Sequence, residues 1–204
     1  MESYGLPNDL FKTLNPIGCI IFGPVVQNIL YPYLNRRKIG FPPIARIATG
    51  FVFMAMSIAI AAGIQDLIYT SGPCYDMPLT CAASEGRTIP NTVNVLIQTP
   101  VYIIMAFSEL FALATGYEYA YTKAPQRMKS FAQAVSVFMA GIGSALAMAI
   151  STVDIDPHLM TLYTSLTVVM VVNAIPFWFS FRKLDKIDDK LNNAVLNGDQ
   201  NGQS

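Results

Sequence analysis

The sequence predicts an all-α membrane protein with five transmembrane helices, and three observations carry that reading. The chain of 204 residues is 53% apolar and only 13% charged, with a mean hydropathy of +0.42, whereas an average soluble domain is about 25% charged. Five stretches, 14–34, 44–69, 93–115, 131–151 and 159–181, are each long and apolar enough to cross roughly 30 Å of hydrocarbon as a helix. The basic residues collect between alternate stretches. One such run fits a buried helix of a soluble protein, but five in succession argue for a polytopic one.

Span one is the least regular, with Pro16, Pro24 and Pro32 spaced eight apart. Span two is the clearest, because "IATGFVFMAMSIAIAAGI" contains no charge. Span three holds the acid Glu109. Span four repeats Gly141, Ala145 and Ala149 every four residues, with Ala140 and Ser144 on the adjacent row. That pattern lets helix backbones approach closely. Span five is interrupted by Asn173, expected to hydrogen-bond between helices, and by Pro176. The prolines, with Gly23, predict kinks or broken turns, which membranes tolerate where protein covers them or they line a cavity. Tyr31, Tyr33, Tyr69, Tyr117, Tyr119, Tyr121 and Trp178 mark the water boundaries.

Eleven of the 13 basic residues fall on one side: Arg36, Arg37, Lys38 and Arg46, then Lys123, Arg127 and Lys129, then Arg182, Lys183, Lys186 and Lys190. Lys12 and Arg87 fall on the other. The positive-inside rule then puts the N-terminus outside and the tail 184–204 in the cytoplasm, with the tail expected to be disordered at its end. Net charge is zero, and nothing points to nucleic acid. "MESYGLPNDLFKTL" has no basic n-region and no small-residue cleavage site, so no cleaved signal peptide is expected. An odd span count with an external N-terminus fits both a piece of a larger transporter and a five-span protein.

The external loop 70–91 is rich in Pro, Gly and Ser and holds Cys74 and Cys81, for which a disulfide and two unpaired thiols are both reasonable. Cys19, within a span, reads as a small hydrophobe. No Cys and His cluster has metal-ligand spacing, His158 stands alone at a span boundary, and no nucleophile–base pair suggests an enzyme. No cofactor is expected.

Glu109 is the one ionisable group deep in a span. A charge at the bilayer centre costs about 3 kcal/mol on insertion scales, so it normally meets a partner or a water-filled cavity. Ser108 precedes it, and Ala112, Thr115 and Gly116 follow near the same face, a narrow, small-residue side. Two readings are open. Glu109 lines an aqueous cavity, where it binds a cationic group or exchanges a proton, or it is hydrogen-bonded within the bundle. No other span carries a buried basic residue to pair with it, which favours the cavity.

"VLIQTPVYIIMAFS" followed by "SELFALATGYEYAYTKAPQRMKS" resembles the tenth span and following loop of the proton-coupled oligopeptide transporter family. "GLPNDLFKTLNPIGCIIFGPVVQNILYPYL" resembles the family's eighth span. The similarity is closest to fungal-type di- and tripeptide transporters and runs from about Gly5 to Ile187. It implies most of the C-terminal bundle of a major facilitator transporter, spans eight to twelve, in the plasma membrane. It also implies that Glu109 helps hold the peptide's amino terminus, with Ser108 and Asn15 in the same pocket, and that protons are the coupling ion. The implied partners are di- and tripeptides, protons, the lipid bilayer and the missing N-terminal half of the transporter. The family's Glu-x-x-Glu-Arg proton-coupling motif has no counterpart here, and Ser136 stands where some members carry a pocket Trp. Five spans are therefore not expected to transport alone. A five-span structural or regulatory partner of a transporter is the alternative.

Overall fold

The computed structural model describes residues 8–37, 41–72, 75, 93–151 and 158–201. Helix α1 (Asn8–Val25) contains Pro16 and Pro24 and runs through a π-helical turn, Val26–Leu30, into α2 (Tyr31–Arg36). Proline lacks an N–H and its ring crowds the carbonyl four residues back, and the widened turn begins two residues after Pro24. Helix α3 (Pro43–Thr70) starts with a proline in its first turn, where the missing N–H goes unused. A 3₁₀ turn, Val95–Gln98, opens the third rod. Its Asn94 cap accepts from the Leu96 N–H, and α4 (Thr99–Glu109), a second π-helical turn (Leu110–Ala114) and α5 (Thr115–Lys123) follow. Helices α6 (Lys129–Ile150) and α7 (Leu159–Asn201) complete the chain.

Five rods are long and apolar enough to cross a membrane: Thr13–Leu34, Pro43–Thr70, Val95–Lys123, Gln126–Ile150 and Leu159–Lys183. The chain is an all-α, multi-pass membrane protein. Two helices outrun the apolar stretches. The third continues through Tyr117, Tyr119 and Tyr121, because rings suited to the headgroup level do not end a helix. The fifth continues past Phe181 to Asn201. Leu184, Ile187, Leu191 and Val195 keep a three-to-four-residue apolar period there among the charges, which is a helical pattern.

Helix α3 is the hub, packed against α4, the turn Leu110–Ala114 and α7, while α1 packs on α4. Rings fill the junction. Phe22 stacks on Phe107 at 4.5 Å, and Phe53 on Phe111 at 5.8 Å, with Phe41 edge-on to Phe111 at 6.1 Å. Ser57 donates to the Val101 carbonyl at 2.9 Å, tying α3 to α4. At the basic end, Arg46 Nε donates to the Phe41 carbonyl at 2.8 Å and its guanidinium lies 4.0 Å from the Tyr31 ring centre.

Phe111 is 3% exposed. Its replacement by Ala removes two ring pairs worth about 0.5–1.5 kcal/mol each, and little transfer energy, since lipid is as apolar as the core. Phe111→Ala is therefore expected to destabilise the micelle-solubilised chain by about 1–3 kcal/mol, read as a lower thermal midpoint. Phe131→Ala, at a 63% exposed position, is expected to leave that midpoint unchanged.

Two expectations need correction. Asn173 is exposed and donates to the Val169 carbonyl of its own helix at 2.7 Å, so it bridges no helices among the described residues. With no neighbour beside it, its amide turns back on the local backbone. The small-residue stripe of α6 meets no helix among the described residues either. No residue of α6 is buried, and a Cβ at Gly141 would have no atom within 4 Å. The main neighbour of α6 is the short α5, and it diverges from the rest of the bundle. Cys74 and Cys81 lie outside the described residues, as do Asp76, Glu85, Arg87, Asp154 and Asp156.

Candidate functional site

Glu109 ends α4 at the middle of the third span, immediately before the π-helical turn. Such turns appear mostly as single interruptions within α-helices, frequently at functional sites. The acid is reached from α1. A Cβ at Gly18 would sit 3.0 Å from the Ala106 Cβ, so the absent side chain lets α1 and α4 close together at this level. Asn15 and Cys19 flank Gly18, and their spacing of four puts them on one helix face.

Asn15 Nδ2 donates to Glu109 Oε1 at 2.9 Å, and Cys19 Sγ lies 3.7 Å from Glu109 Oε2 and 3.7 Å from the Ala106 carbonyl. The Asn15 amide thus holds one carboxylate oxygen, and the Cys19 thiol, whose single proton has the Ala106 carbonyl as a second acceptor at the same distance, lies beside the other; neither group is cationic. Asn15 Oδ1 is out of contact with solvent and has no hydrogen-bond partner among the described residues. A carboxylate beside an unused acceptor matches a cation carrying several N–H donors, as an ammonium does.

Of the three residues singled out in the sequence, the structure joins Asn15 and Glu109. Ser108 is buried, at 4% exposure, next to the acid in sequence but outside that pair. Two cavities lie elsewhere. One of about 230 Å³ between α3, α4 and α7 is lined in part by Ser57, Gln65, Gln98, Tyr102 and Tyr163. An apolar crevice of about 520 Å³ separates α3 from α7 near Trp178. Glu109 lines neither of these. The sequence marks neither Gly18 nor Gly50 and presents Cys19 as a small hydrophobe, with only its four-residue step from Asn15 hinting at more.

Rods of this length around a hydrogen-bonded acid at the midpoint of a span define a polytopic helical protein of the transporter type. The family model described as PTR2, POT family, matches residues 1–178, and the chain belongs to that family, one of transporters and not of enzymes. It is 50% identical over 188 residues to the peptide transporter imqD of Aspergillus flavus, covering 92% of this chain and 46% of that protein. It is 38% identical over 192 residues to the peptide transporter PTR2 of Saccharomyces cerevisiae, covering 94% of this chain and 31% of that one. The chain spans about a third to a half of the length of the curated relatives it matches. The crystal structure of an auto-inhibited POT family peptide transporter shares its fold, with a TM-score of 0.54 at 20% identity, over 83% of this chain and 32% of that one.

Proposed function

We propose that this chain is part of a proton-driven di- and tripeptide symporter and that Glu109 receives the ammonium of the peptide. The observation that carries the reading is the Asn15–Glu109 pair. Among the described residues its carboxylate is held without a cation, and its Asn15 Oδ1 acceptor is unused. The peptide-transporter names of the relatives supply the substrate class. Alternating access rocks one bundle against another around a midplane site, so transport needs the remainder that the relatives possess. Ser108 lines the same pocket, the basic ends of the spans face the cytoplasm, the N-terminus lies outside, and the membrane is the plasma membrane.

The test joins the chain behind the N-terminal part of the Saccharomyces cerevisiae relative, in yeast lacking its own peptide uptake. Labelled dipeptide is expected to accumulate under an inward proton gradient and to stop accumulating when a protonophore collapses it. The 204-residue chain alone is expected to accumulate none. Uptake indifferent to the protonophore removes the proton drive, and a correctly inserted chimera without uptake counts against the whole reading.

A further inference from the structure

The thiol of Cys19 has no part in the reading above, yet it approaches the same carboxylate. We propose that Cys19 is a positioning residue for Glu109, a role that rests on the peptide-site reading. Its thiol and the Asn15 amide, one turn apart on α1, fix both oxygens so that the carboxylate meets a peptide ammonium in one orientation. The bond from Asn15 Nδ2 to Oε1 alone leaves the carboxylate free to swing about that contact. A second hold on Oε2, 3.7 Å from Cys19 Sγ, sets its plane.

The chain also indicates how a thiol and a hydroxyl differ here. Five side-chain hydroxyls within these helices turn back on the carbonyl four residues earlier, Thr49 to Ala45, Ser136 to Ala132, Ser144 to Ala140, Thr164 to Met160 and Thr167 to Tyr163, while the buried Ser57 hydroxyl crosses from α3 to the Val101 carbonyl. A hydroxyl at position 19 has the carbonyl of Asn15 as a competing acceptor on its own helix. The longer, weakly donating thiol instead reaches across to α4, where it meets both the Glu109 carboxylate and the Ala106 carbonyl. Gly18 makes the crossing short enough for that reach.

Two measurements test the proposal. In the 204-residue chain in micelles, maleimide labelling of Cys19, located by mass spectrometry, is expected to run at least threefold faster in Glu109→Gln, because the carboxylate no longer engages the S–H. Leu113→Ala, one turn along at a 53% exposed position, is expected to leave the rate unchanged. Equal rates in the parent and Glu109→Gln would overturn the pairing.

In the chimera, Cys19→Ala is expected to raise the KM for dipeptide two- to fivefold at unchanged Vmax, and Cys19→Ser to behave as Cys19→Ala does. A purely structural role would instead lower the amount of folded protein, and with it Vmax. An unchanged KM in Cys19→Ala, while Glu109→Gln loses uptake, overturns the positioning role and leaves the peptide site standing. Full uptake by Glu109→Gln overturns the peptide-site reading and the role built on it, while the labelling rates still decide whether thiol and carboxylate are paired.

Discussion

Glu109→Gln is expected to lower the initial rate of dipeptide uptake by the chimera about ten- to a hundredfold without changing the amount of protein in the membrane. The substitution keeps the length and shape of the side chain. A glutamine carbonyl in place of Oε1 still accepts from Asn15 Nδ2, which now reaches that atom at 2.9 Å, so the contact between α1 and α4 survives. What disappears is the charge. A hydrogen bond to a charged partner contributes about 1.5–3 kcal/mol, and each 1.4 kcal/mol is a factor of ten, which sets the expected range. Glu109→Asp retains the charge but withdraws it by one bond from Asn15 and Cys19, and its uptake falls between the two. A Glu109→Gln rate within twofold of the parent removes the carboxylate from peptide binding.

The features legible in the sequence are those that accumulate along the chain or break a uniform background. Five spans are readable because hydropathy adds over 20 or more residues, and Glu109 because one charge stands out in an apolar run. Helix ends are less readable, since the third rod keeps its winding from Tyr117 to Lys123, past the end of the apolar run. The partners of Glu109 divide in the same way. Asn15 is polar in an apolar span and carries a family resemblance, so it was marked in advance. Cys19 has the size and burial habits of a small hydrophobe, and only the approach of α1 to α4 at Gly18 reveals its sulfur beside the carboxylate. Asn173 misleads for the opposite reason, because a polar residue in a span need not face another helix when its own backbone offers an acceptor.

Gly50→Leu is expected to destabilise the micelle-solubilised chain by about 3 kcal/mol, the upper end of the usual cost of overpacking. Nothing in the sequence separates Gly50 from Gly63, since both lie inside α3. A helical glycine is normally about 1 kcal/mol worse than alanine. Gly63→Ala, with no atom within 4 Å of the added Cβ, is expected to raise the thermal midpoint slightly. At Gly50 the sign reverses. There a Cβ would lie 2.6 Å from the Ala112 backbone nitrogen and 2.7 Å from the Ala112 Cβ. A main-chain atom cannot rotate aside as a flexible side chain can. Overpacking costs about 1–3 kcal/mol against a propensity gain of about 1 kcal/mol, so even Gly50→Ala is expected to lower the midpoint. Ala112 belongs to the π-helical turn that begins immediately after Glu109. Displacing that turn moves the acid relative to α1, so labelling of Cys19 should accelerate together with the loss of stability. If Gly50→Ala is destabilised but Cys19 labels at the parental rate, the α3 contact supports the bundle without setting the position of Glu109. If both change, the glycine notch in α3 and the α1 clamp act on the same carboxylate from opposite ends of the turn.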